Sequence, residues 1–171
     1  MFRYNTTGIQ PISAEKLDEA LSALSAKQAY HAEAARILMA IKAKSGRVGK
    51  VFNKSVVPAM SAVLPGYRVT YGIAEYTKAR QRCLYVVRLS ESGEIVTGPQ
   101  NHWEFTLATA DHPLMTAETI AERIAYHTEE AQRYARLAAD LPAQVAAYNV
   151  AADYLRPIKS AVDSAMLRAS W

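Results

Sequence analysis

Four histidines and the carboxylates near them are the side chains of this 171-residue chain with the widest choice of chemistry. His31 sits in Ala29-Tyr30-His31-Ala32-Glu33, and His127 in Ala125-Tyr126-His127-Thr128-Glu129. The echo is too short to be a repeat, but both segments fall mid-way along long helical patterns, with the histidine on the apolar seam. Antiparallel packing of the two helices would bring the rings together. With Glu33 and Glu129 or Glu130 close by, such a pair could bind a metal. Di-metal carboxylate sites in bundles, however, use Glu-x-x-His on two helices plus two further glutamates. Here Gln28 and Ile124 stand three residues before the histidines. The expectation is two seam histidines satisfied by each other or by tyrosine hydroxyls, with no metal and no other cofactor.

A second polar group is His102-Trp103-Glu104 with Asp111-His112. On a strand, His102 and Glu104 share the face opposite Trp103, so an acid–base pair is conceivable. Solvated strand ends account for the same residues. An enzyme with a site at His102, Glu104 and His112 is therefore kept as an alternative, and no catalytic residue is assigned. Gly46-Arg47-Val48-Gly49-Lys50 is not a phosphate loop. Lys44 stands where the first glycine belongs, Val51 where the Ser or Thr belongs, and the segment follows a helix instead of a strand. The nucleophile-elbow, zinc-protease, paired C-x-x-C and dinucleotide signatures are all missing, so the chain reads as non-enzymatic.

Charge carries the stronger signal. From Arg36 to Arg88 there are eleven bases and one acid (Glu75), a balance of +10. From Glu91 to Glu130 there are eight acids and one base (Arg123), a balance of −7. The whole chain is only +4, so the asymmetry is internal. Arg47, Lys50 and Lys54 follow the first helix, while Arg68, Lys78, Arg80, Arg82 and Arg88 lie on the first hairpin or its turn. Tyr67, Tyr71, Tyr76 and Tyr85 are interleaved with them. Cations with flat aromatic rings suit a phosphate backbone with stacked bases. The competing reading is a solvated basic face balanced by the acidic segment, and no nucleic-acid-binding motif is present.

The elements that must position these residues are legible from periodicity. A helix over about 13–45 has Ser13 as N-cap, Ile12 and Leu17 placed as a hydrophobic staple, and acids in its first turns. Leu17, Leu21, Leu24, Gln28, His31, Ala35 and Leu38 form its seam, and Gly46 is placed to end it. At 1.5 Å per residue it spans roughly 50 Å. A short helix over about 50–64 precedes Pro65-Gly66, with Pro58 tolerated only in a first turn. A three- to four-stranded meander over about 67–109 follows. Tyr67 to Ile73 alternates, Arg82 to Ser90 is rich in β-branched and aromatic residues, and Glu91-Ser92-Gly93 is a tight loop. Glu94 to Thr97 starts a return strand that Gly98-Pro99-Gln100-Asn101 interrupts before His102 to Thr109. A helical hairpin over about 116–168 closes the chain, broken or bent at Pro142 and kinked at Pro157.

Bulk composition agrees with one α+β domain over 1–171: long antiparallel helices packed with a small antiparallel meander. Half the residues are hydrophobic, enough for a core. The one cysteine, Cys83, permits no internal disulfide and reads as a small core residue on a strand. The opening residues lack a secretory signal pattern and no apolar run spans a bilayer, so the cytoplasm is the expected address. The leading expectation is an interaction protein that binds an acidic macromolecule (nucleic acid, nucleoprotein or protein surface), in the manner of small phage or bacterial accessory and inhibitor proteins. The alternative is a structural or assembly protein that associates through its helices, for instance as a homodimer.

Overall fold

A computed structural model describes residues 9–44, 61–73, 82–106 and 117–169. Its architecture is α+β, with long antiparallel helices and a three-stranded antiparallel meander. Helix α1 spans Ala14–Lys44, strands β1, β2 and β3 span Tyr67–Ile73, Arg82–Arg88 and His102–Thr106, and helix α2 spans Ala117–Ala169. The chain divides into two compact units, residues 26–133 and residues 1–25 with 134–171, and each helix contributes to both.

In the unit 26–133 the strands pair in the order β1-β2-β3. The register sets Val69, Val86 and Trp103 side by side, and Leu84 beside Phe105. Because successive side chains alternate in direction, these five share one face of the sheet. They pack with Ala34, Ile37, Leu38 and Ile41 of α1, with Leu64, and with Ile120 of α2. Trp103 is the largest fully buried side chain. Its indole N–H donates to the Tyr30 carbonyl at 3.2 Å, so the ring's polar atom is satisfied inside the core. Cys83 is also fully buried.

The turn after β2 is built by Ser90. Its N–H donates to the Glu94 carbonyl at 2.8 Å, its carbonyl accepts from Gly93, and its hydroxyl accepts from the Glu94 N–H. Gly93 has φ +82°, a conformation in which a side chain is strained. The expected fourth strand shrinks to a single bridge between Leu89 and Ile95. Pro99–Asn101 then forms a 3₁₀ turn, with the buried Asn101 amide donating to the Thr97 carbonyl. That turn redirects the chain into β3 before a longer ladder can form. Of the expected short helix over 50–64, residues 61–63 are helical and Leu64 follows them in a bend; residues 50–60, Pro58 among them, and Gly46 lie outside the described residues.

In the unit 1–25 with 134–171, Ser13 caps α1. Its hydroxyl accepts from the Lys16 N–H at 3.3 Å, and its carbonyl from Leu17 at 3.1 Å. One residue earlier, the Asn149 side chain takes both backbone groups of Ile12. The Ile12 N–H donates to Oδ1 at 2.7 Å, and Nδ2 donates to the Ile12 carbonyl at 2.9 Å. A single amide thus does for the entry to α1 what a paired strand would do. The expected helical hairpin is absent: α2 is one 53-residue helix that contains both Pro142 and Pro157. Each proline forfeits one i→i−4 bond. Alanine-rich flanks of high helix propensity, and packing at Val145, Asn149 and Ala152, offset that loss.

Candidate functional site

Of the eight cations singled out in the sequence, Arg47, Lys50, Lys54, Lys78 and Arg80 lie outside the described residues. Arg82 is the first residue of β2 and pairs with Ile73. Arg68 and Arg88 do not come together. Arg68 pairs with Val87, and Arg88 with Tyr67, the neighbour of Arg68. Alternation therefore puts the two arginines on opposite faces of the sheet. Arg68 is exposed on the face away from the Trp103 core, in one row with Val87 and His102. His102 and Glu104 are both exposed on that face, as their strand parity requires, and Tyr85 lies 6.0 Å from His102, ring to ring. His112 is outside the described residues.

Arg88 joins a cluster that sequence reading missed. Glu33 and Arg36 come from α1, Tyr67 from β1, Arg88 from β2 and Trp103 from β3. Arg36 donates to both oxygens of Glu33, at 2.7 to 3.0 Å. The Tyr67 hydroxyl donates to the same carboxylate, Arg88 stands 3.9 Å from it and donates to the Tyr67 oxygen at 3.3 Å. Both guanidinium groups lie over the Tyr67 ring, Arg36 at 5.4 Å and Arg88 at 5.8 Å from its centre, and Arg88 is also 5.8 Å from the Trp103 ring. Tyr30, partly buried at the edge of the core, stacks on Trp103 with ring centres 5.7 Å apart. The hydrogen bond from Arg36 is the main reason the Glu33 carboxyl titrates below its ordinary range, with Tyr67 and the two positive charges adding to it against the opposing effect of burial. Arg36 is held protonated in return, chiefly by the same hydrogen bond.

Two guanidinium groups around one carboxylate leave the cluster with one net positive charge. The side chains of Arg36 and Arg88 are 50% and 44% exposed, against 19% for Glu33, so the cations face solvent and the anion does not. The local signal in the sequence was Glu33 three residues before Arg36, a helix pair. The rest needed the β1–β2 register, which no local pattern supplies.

The second polar feature is the histidine pair. His31 of α1 and His127 of α2 meet through their Nδ1 atoms at 3.0 Å. Tyr126 packs edge-on to both rings, Tyr30 to His31 and Phe105 to His127. Burial lowers the pKa of both. For His127 it falls to about 4, with the positive charges of His31 and Arg123 adding to the shift. Among the described residues no group of three His, Cys, Asp or Glu side chains could hold a metal ion. None of the described helices is long and apolar enough to cross a membrane. No protein-family model, curated protein or solved structure matches the chain.

Proposed function

We propose that this chain is a non-enzymatic interaction protein of the cytoplasm that binds an acidic macromolecule through its basic 36–88 segment. The observation that carries the reading is the concentration of charge, +10 between Arg36 and Arg88. Two of those cations, Arg36 and Arg88, come from different elements to lie over aromatic rings with net positive charge to spare, and a third, Arg68, is exposed on the opposite face of the sheet. Phosphates neutralised by such groups release counterions, so binding to nucleic acid falls steeply with salt. An acidic protein surface would use the same cations, as would a nucleoprotein complex. The test is a gel shift with duplex DNA and with RNA at low salt, repeated across a salt series. The expected result is retardation that weakens with salt and is abolished by Arg68→Glu combined with Arg80→Glu and Arg82→Glu. No shift with either nucleic acid at low salt removes the nucleic-acid form and leaves an acidic protein as the partner to seek.

A second reading is association of the chain with itself through α2. It is favoured by a row of large apolar side chains on one helix: Tyr148, Val150, Tyr154, Leu155, Ile158 and Val162 are 41 to 74% exposed. Light scattering decides it, since a monomer at high concentration is incompatible with a helix-mediated homodimer.

A further inference from the structure

We propose that the His31–His127 contact is a proton-operated latch between α1 and α2 within the unit 26–133, closed while at least one facing Nδ1 lacks a hydrogen and open once both carry one. The chemistry follows from the atoms that meet. With both rings neutral, each holds one hydrogen, and a bond between two Nδ1 atoms needs that hydrogen on Nδ1 of one ring and on Nε2 of the other. The first added proton can enter at Nε2 of the donor ring. The donor becomes an imidazolium and the bond becomes charge-assisted, hence stronger. The second can go only to Nδ1 of the acceptor. It takes the lone pair that accepted the bond and leaves two cationic N–H groups aimed at each other across 3.0 Å. Aromatic rings flank both histidines: Tyr126 packs edge-on to each, and Phe105 of β3 packs edge-on to His127 with ring centres 6.3 Å apart.

The neighbours assign the roles. His31, the less deeply packed ring, faces Glu130 of α2, which favours its charge, and Lys27 of its own helix, which opposes it. His127 faces His31 across the contact and Arg123 on α2, both of which oppose its charge, while Phe105 of β3 packs edge-on against it. Tyr30 also lies against His31, and burial raises the pKa of its hydroxyl, so it stays neutral in the relevant range; Tyr126 is the other ring on these faces. His31 therefore takes the first proton and serves as donor, and His127 is the acceptor whose protonation opens the latch. The two helices have the Trp103 core on one side of this joint, so opening is local: it loosens α1 from α2 around residues 31 and 127 without dismantling the sheet.

The experiment has two arms. In the first, the full chain is labelled at histidine and both rings are followed by NMR from pH 8 to pH 3.5. The expected result is two coupled steps, His31 first and His127 well over tenfold more resistant to protonation than a free histidine. Independent titration of both rings near the ordinary value of about 6.5 overturns the proposal. In the second, hydrogen exchange corrected for intrinsic rate is measured against pH for the wild type and for His127→Gln. Extra exchange in the peptides covering 26–44 and 117–133 is expected in the wild type as the second proton binds. It is expected to be missing in the variant, whose side chain cannot charge. The same pH-dependent opening in both proteins, or opening spread over the sheet, also overturns it. Should the variant fail to fold, the wild-type exchange profile decides: no extra exchange in those two peptides as the second proton binds overturns the proposal.

Discussion

The two units use the same kind of helix in opposite ways. In 26–133, the later turns of α1 and the early turns of α2 lay apolar residues against a sheet, and eleven buried side chains among the described residues merge into one cluster with Trp103 as its largest member. In 1–25 with 134–171, the buried apolar residues are Val145 and Ala152 among those described, while Tyr148, Tyr154, Leu155, Ile158 and Val162 on the same helix stay at least 41% exposed. Apolar periodicity of three and four continues through both stretches of α2. What differs is the surface opposite. A twisted sheet presents a broad face that can take several rows of side chains, whereas a single partner helix covers one stripe. A helical seam in a sequence therefore states where a helix can bury residues, not how much it will bury.

The sharpest way to break this contrast is to remove a central residue from each unit. Trp103→Ala deletes a fully buried indole and its bond to Tyr30, and should cost about 3–5 kcal/mol, a large fraction of the stability of an ordinary domain. Val145→Ala removes the two γ-methyl groups of a residue only 8% exposed, and should cost about 1.5 kcal/mol for the burial lost. Urea unfolding followed by circular dichroism measures both, with Trp103 emission as a second probe for the Val145→Ala variant. Equal losses would mean that the two units are stabilised alike and that the contrast drawn from burial is wrong.

Asn149 sharpens the same comparison at a polar contact. It is the described side chain that ties the lead-in of α1 to α2 by two hydrogen bonds. Asn149→Ala leaves the Ile12 N–H and carbonyl to partly accessible water, for an expected loss of about 1–2 kcal/mol. The loss should be local. Amide exchange should rise in the first turns of α1, despite the Ser13 cap, and stay unchanged at Leu84 and Val86. A uniform rise over the chain would show instead that the two units open as one cooperative body.

Much of this arrangement could be read from the residues alone. The seam spacing brought His31 and His127 together because a 3.6-residue period and antiparallel packing leave few alternatives. Strand alternation placed Trp103 inward, with His102 and Glu104 outward. The continuity of α2 through Pro142 was hidden, since the rule that proline ends a helix concerns local cost, and here packing at Val145 and Asn149 offsets it. The arginine cluster was hidden for another reason. Glu33 and Tyr67 are 34 positions apart, Tyr67 and Arg88 are 21 apart, and their meeting depends on strand register and on how α1 lies over the sheet. The basic segment showed as a block in sequence because sequence does not say which face of a sheet a residue takes. Pairing then set Arg68 and Arg88 on opposite sides.

The smallest effect tests whether the cluster belongs to the stability of 26–133 or to its surface. Glu33 titrates below its ordinary range in the folded protein. Its contribution is therefore fully present above the unfolded glutamate value, about 4.3, and is lost as pH falls through the depressed folded value. Glu33→Gln removes that contribution. Because Arg36 is half-exposed, the pair is screened, and the loss at neutral pH should stay at or below about 1 kcal/mol. The wild type and the variant should converge in stability on acidification below pH 4. At pH 7 the variant raises the local balance from one positive charge to two, which should strengthen retention of polyanions such as heparin even as it weakens the fold slightly. Both shifts are read on one preparation, by urea unfolding against pH and by elution salt from a heparin column. A large stability loss with unchanged heparin elution would make Glu33, Arg36 and Arg88 a structural clasp like Asn149. A small loss with later elution would make them surface cations with an internal counterion, which is what an anion-binding face next to a buried core requires.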